Sequence, residues 1–192
     1  MRSYRRHLFL LLTLSLAACA ASPVAVREHM DRHTGVTVYR SGAPLVFYKD
    51  SSSRAAHARD YVYAGPIEID RMGEIRYYLW LGIWSTMPVT DQAEQRDGFE
   101  SVTIFADGEP LPLVITGWNE SAIGAQEPIY GKPVASAADA FYEVTLDQLR
   151  LIAESRDLRL LTSGSRAANF EPWDREQSAM EGLRRFVEHA SY

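Results

Sequence analysis

Residues 74–85, EIRYYLWLGIWS, limit the fold of this chain more than any other stretch. In an extended backbone Ile75, Tyr77, Leu79, Leu81 and Ile83 share one face, and Arg76, Tyr78, Trp80, Gly82 and Trp84 share the other. A period of two carried by β-branched and aromatic residues marks a strand, here one whose two faces are both largely apolar. Each face therefore needs cover. Trp80 and Trp84 lie four apart on the same side, about 13 Å along a strand rising 3.3 Å per residue, with Gly82 leaving a notch between them.

Neighbouring segments repeat the pattern. Val36 and Val38 alternate with polar partners from Thr34 onward, and Leu45-Val46-Phe47-Tyr48 follows Gly42 and Pro44. Residues 61–70 form a further candidate strand, interrupted by Gly65-Pro66, which points to an edge, bulge or bend. Arg71-Met72-Gly73-Glu74 is placed to turn that strand back into 74–85. Residues 99–106 and 111–116 read as the next pair, with Val102, Ile104 and Ala106 on one face of the first strand and Leu111, Leu113 and Ile115 on one face of the second. Asp107-Gly108 between them is a hairpin signal, although Glu109-Pro110 suggests a loop longer than the tightest type.

The pattern changes twice more. Residues 117–138 are rich in Gly, Ala, Ser and Pro, with Trp118, Ile129 and Tyr130 scattered among them. A connection of that length without clear periodicity suggests a functional or mobile loop. Helices come late. Thr145-x-x-Gln148 is a capping box with Val144 and Leu149 as its staple, starting a helix from 146 to about 155. Leu158-Arg159-Leu160-Leu161 reads as a strand ended by Ser163-Gly164. Asp174 then opens a second helix, in which Met180, Leu183, Val187 and Ala190 form one apolar stripe. The expectation is a mainly β, α+β domain: an antiparallel sandwich or open barrel of about seven to nine strands, with two helices in the C-terminal third.

The first residues concern location rather than fold. Arg2, Arg5 and Arg6 precede an apolar run, residues 8–16, that is about half the roughly 20 residues needed to cross a bilayer. Leu16-Ala17-Ala18-Cys19 follows it directly. This ending resembles the lipobox of bacterial lipoproteins, in which the cysteine is acylated and the chain is cut just before it. The resemblance implies a signal peptide over 1–18, a lipidated Cys19 with a tether over 19–33, and a single β-rich domain over 34–192. Ala20 is not the Asp that retains many such proteins in the inner membrane, so the outer membrane facing the periplasm is expected. Ala18-Cys19-Ala20 also fits an ordinary signal-peptidase site, and Arg5-Arg6 loosely fits a twin-arginine signal.

Charge and thiol content narrow the partners. Removing residues 1–18, with their three arginines and no acids, takes the formal charge from −5 to −8. An acidic body is poorly suited to nucleic acid, whose binding rests on neutralising phosphate. Membrane contact is left to the acylated Cys19. Cys19 is the one cysteine, so the domain folds without an internal disulfide.

Motifs that carry chemistry are sparse. His29 and His33 would share a helix face and could clamp a metal, yet Asp31 lies on another face and the segment also reads as a polar lead-in. His57 with Asp60 could supply a base, but the serines at 51–53 sit in a charged loop without a nucleophile elbow. Asp91, Glu94, Asp97, Glu120 and Ser121 fit solvated loops. No catalytic, metal or cofactor site is assigned, and no Gly-rich phosphate cradle occurs. One feature invites an interaction surface: the aromatic residues Tyr78, Trp80 and Trp84, joined by Trp118 and Tyr130. The competing reading buries that face under the C-terminal helix through Met180, Leu183 and Val187, which would fill the Gly82 notch. A non-enzymatic, lipid-anchored envelope protein that binds or scaffolds a partner or small ligand is the leading expectation. An envelope hydrolase built on His57, or a carrier with an apolar cavity inside the β domain, are the alternatives.

Overall fold

The computed structural model describes residues 24–51, 55–87, 91–164, 167–173 and 177–191. Its strands are β1 (Val26–Met30), β2 (Thr37–Ser41), β3 (Leu45–Asp50), β4 (Arg59–Arg71), β5 (Glu74–Ser85), β6 (Ser101–Ala106), β7 (Glu109–Gly117), β8 (Ala138–Val144), β9 (Leu158–Thr162) and β10 (Asn169–Pro172). The helices are α1 (Gln92–Arg96), α2 (Leu146–Glu154) and α3 (Gln177–Ala190), with a 3-10 turn at Glu120–Ile123. The protein is thus mainly β with helices, as expected, but the sheet is neither a sandwich nor an open barrel. Eight antiparallel strands close in the order β3-β4-β5-β8-β7-β6-β9-β10, and β10 returns to β3. β2 and β1 extend the sheet outward from β4. The closing strand is four residues long and ends in Pro172, too short to leave a periodic signal. β1 falls within 19–33, the stretch read as a tether.

β4 is a central strand rather than an edge, and Gly65-Pro66 explains how. Its first half pairs with β3 as far as Ala64↔Leu45, and its second half pairs with β2 from Ile67↔Arg40. Gly65 and Pro66 occupy the gap where one partner gives way to the other, so the missing proline N–H breaks no ladder there. On the other edge the pairing with β5 runs through without interruption. The β4–β5 hairpin turns on Met72 and Gly73, both at positive φ, with Arg71 opposite Glu74. Asp107 and Gly108 do the same between Ala106 and Glu109. That second loop is the tightest two-residue kind, a turn with both central residues left-handed, and Glu109-Pro110 belongs to β7.

Alternation divides the apolar residues into two cores. Leu79, Leu81 and Ile83 of β5 point into the barrel, where they meet Val62, Ala64, Ile104, Ala140, Tyr142 and Leu160. α2 and α3 close one end through Leu149, Ile152, Leu183 and Phe186. The capping box forms as read: Thr145 Oγ1 accepts the Gln148 N–H, and the Gln148 side chain accepts the Thr145 N–H. The Asp174 cap lies outside the described residues. Tyr78 and Trp80 point outward into a second core with Val36, Val38, Ile67, Ile69, Ile129, Tyr130 and Phe141. The cover on this face is the 117–138 connection, not the C-terminal helix.

Candidate functional site

That connection is held in place by three polar anchors. Asp31 is fully buried and its carboxylate accepts four backbone N–H groups: His33 and Thr34 on one oxygen, Gln126 and Glu127 on the other. Burial by itself would raise its pKa, but the four donors overcome that and hold it well below the usual carboxylate range. Tyr130 is the second anchor. Its ring stacks on Trp80 at 4.6 Å and sits beneath the Arg40 guanidinium, while its hydroxyl donates to the Pro66 carbonyl and contacts Ser41 Oγ. It fills the gap between β2 and β3, where a side chain at Gly65 would collide with it. Burial pushes the Tyr130 hydroxyl well above its ordinary pKa. The third anchor is Asp139, which accepts the Trp80 indole N–H at 3.0 Å and pairs with Lys132 at 2.6 Å.

The aromatic set therefore does not form one surface. Tyr78, Trp80 and Tyr130 are 4, 1 and 6% exposed and serve as packing. The Gly82 notch is filled by the Trp80 ring itself, which lies 2.5 Å from where a Cβ would stand; the expected filling by α3 does not occur. Trp84 is separate, stacked on Tyr61 at 4.6 Å and edge-on to Tyr63. Trp118 is half-buried under the Arg96 guanidinium.

The polar candidates are dispersed as well. His29 lies on β1 opposite Val38, not on a helix. His33 comes within 3.6 Å of Glu127, and Asp31 lies beside both, yet the two oxygens of Asp31 are already filled by backbone donors. His57 is exposed at positive φ. Asp60 instead accepts from Ser51 at 2.6 Å and pairs with Lys49 at 3.3 Å. Burial raises the Asp60 pKa, but bonds from Ser51 and Ser85 and the Lys49 charge bring it below the ordinary value. Lys49, Asp60 and Ser85 line a small pocket of about 110 Å³ at the loop end of the barrel. Asp91 caps α1 by accepting the Ala93 N–H, and Ser121 donates to Asn119. Glu120 titrates above its ordinary value because it is partly buried. Cys19 lies outside the described residues.

A larger concavity among the described residues lies elsewhere. β10 pairs with β9 through Asn169 and Phe170, and with β3 through Glu171 and Pro172. Its two neighbours thus part at the helical end, and the chain leaves the sheet at Trp173, whose N–H donates to the Val46 carbonyl at 2.7 Å. An open groove of about 770 Å³ lies along this seam. Pro44, Leu45, Val46 and Phe47 form one wall, Ala179 and Met180 of α3 the other, and Leu158, Pro172 and Trp173 complete the lining. Ser155, Arg156, Ser178, Glu181, Arg184 and Val24 also line it. Arg184 is steered by its bond to the Ala153 carbonyl and lies 3.8 Å from Glu181. Leu45 and Phe47 also border a void of about 10 Å³ inside the barrel. A groove of this size, mostly apolar with a few charged groups in its lining, has the dimensions of a ligand site. Periodicity does not reveal it, since it arises from the mismatch of a short strand with two longer ones. The chain matches no family model, and no curated protein or solved structure is significantly similar to it.

Proposed function

We propose that this chain is a lipid-anchored protein of the bacterial envelope, held through Cys19 on the periplasmic face of the outer membrane, that acts by binding rather than catalysis. The observation that carries the binding role is the seam groove: about 770 Å³, lined by Leu45, Val46, Phe47, Leu158, Met180 and Trp173. The lipobox-like Leu16-Ala17-Ala18-Cys19 supports the anchor. A hydrolase centred on His57 draws no support from the geometry, because the partners of Asp60 are Ser51 and Lys49. A carrier with its cavity inside the barrel draws none either from the described residues, where the void lined by Leu79, Ile104 and Leu149 is about 10 Å³.

Photo-crosslinking in cells tests the reading. A crosslinker at Val46 or Met180 should trap a bound molecule, whereas one at the exposed Val114 of β7 should not. Equal trapping at Val114, or none in the groove, overturns the groove as a binding site. A mature N-terminus at Ala21, or a Cys19→Ala protein still in the membrane fraction, overturns the anchor.

A further inference from the structure

A second cleft, sharing no lining residue with the seam groove, lies beside the β4–β5 turn, and we infer that it binds the carboxylate of a small hydroxylated organic acid between Arg71 and Arg76. The register of the hairpin sets Arg71 opposite Glu74 and Arg76 opposite Ile69, so both guanidinium groups and this carboxylate share the outward face. Glu74 is taken by Arg76, its Oε1 accepting from Nε at 2.9 Å and from Nη2 at 2.6 Å. Asp70 accepts the Gly73 N–H at 2.7 Å and closes the turn. Arg71 therefore has no ion pair among the described residues, and its one described partner is the Gly124 carbonyl, which accepts from Nη2 at 3.1 Å. Its remaining N–H groups are left for a ligand. The left-handed Gly124 makes room for this guanidinium, since a Cβ there would stand 2.5 Å from Nη2. Between the hairpin and the 3-10 turn the cleft measures about 390 Å³, with the two arginines, Glu74 and Ser121 set around the buried Ile69 and Ile123. That volume is in the ordinary range of ligand sites. Two arginines against one glutamate leave a single positive charge, in a chain whose formal charge is −5. One excess charge suits one carboxylate, which a guanidinium holds with two parallel N–H bonds. Ser121 Oγ gives its proton to Asn119 Oδ1 at 2.6 Å, so it meets a ligand as an acceptor and matches a body that carries hydroxyl donors.

The test follows gluconate, a monocarboxylate with a hydroxylated body, by heteronuclear NMR of the whole chain in a nonionic detergent at constant ionic strength. Saturable shifts are expected at the Arg71 Nε–H and the Gly124 amide, and none at the Arg159 Nε–H, whose guanidinium pairs with Asp157. Arg71→Gln should weaken binding about tenfold. Glu74→Gln, which frees the Arg76 guanidinium without touching the Gly124 contact, should tighten it. Sorbitol, in which a hydroxymethyl group replaces the carboxylate, should leave both signals unmoved. No saturable shift with gluconate, or an equal one with sorbitol, overturns the inference. Binding of inorganic phosphate while gluconate stays inert also overturns it, because the cleft would then be a phosphate site. Should Arg71→Gln loosen the 3-10 turn, Glu74→Gln decides, and a variant that binds gluconate no more tightly than the natural chain overturns the site. None of these outcomes touches the seam groove, which is read from crosslinking at Val46 and Met180, or the anchor, which is read from fractionation.

Discussion

The inner and outer faces of β5 are both buried, and they are buried by different means. Inward, Leu79 and Leu81 meet side chains from strands and helices that obey the same periodicities. Outward, Tyr78 and Trp80 are covered by an irregular connection that has little regular structure of its own. The inner core is held by many interchangeable apolar contacts. The outer one depends on Asp31, Tyr130 and Asp139 to fasten a loop across a sheet. A core of the first kind loses stability gradually with volume, whereas one of the second kind fails at its fasteners.

The sharpest way to probe the inner core is Leu183→Ala, a fully buried α3 residue, which should cost about 2–5 kcal/mol in urea or thermal unfolding. A truncation after Trp173 that leaves the melting temperature unchanged would break the comparison from this side. For the outer core, Asp31→Ala leaves four part-buried N–H groups without their carboxylate and should cost on the order of 3 kcal/mol. Hydrogen exchange should then rise at Gln126 and Glu127 well before it rises in β5; uniform exchange across both would show a single undivided core. The acid response has a definite sign. Because the folded pKa of Asp31 is lowered, its contribution is complete above the ordinary carboxylate range and is lost only as pH falls through the lowered value. Protection at Gln126 and Glu127 should therefore outlast the titration of exposed carboxylates, and loss of it at pH 5 would contradict the geometry.

Smaller effects are expected at two glycines. Gly65→Ala should displace Tyr130 from its socket, and Gly82→Leu should press on the Trp80 ring, each at about 1–3 kcal/mol. Both should alter near-ultraviolet dichroism from the stacked pair. If Gly82→Leu instead left the fold intact and abolished binding, the aromatic face would be the site. The least effect belongs to Thr145→Ala, where loss of the cap on α2 should cost about 1 kcal/mol in thermal unfolding.

Much of this fold was legible in the sequence, and the illegible parts share a cause. The facing of β5, the turns at Met72-Gly73 and Asp107-Gly108, and the Thr145 box all rest on interactions within a few residues. Closure by β10, the Gly65 socket and the outer cover join residues 64 to 125 apart, and no local pattern encodes them. Asp31 did carry a local signal, since Asp31-Arg32-His33-Thr34-Gly35 has the makings of a side-chain-bonded turn ending in a left-handed glycine. Its longer reach to Gln126 had no signal. Nor had the seam groove, whose existence depends on the length of one strand measured against two others.

The four-residue β10 also sets the order in which the molecule can be assembled. Pairing Glu171 with Tyr48 and Pro172 with Phe47 joins the beginning of the barrel to its end. Until about nine-tenths of the chain is available, β3 and β9 each retain an open edge with unsatisfied amides. Loops that long must be closed before their contacts repay the entropy, so folding should be slow for a domain of this size. During that interval the exposed edges are templates for pairing with another copy. The last strand to arrive is thus what separates a closed barrel from an aggregate, and conditions that delay it, rather than those that weaken the finished core, should govern the yield of folded protein.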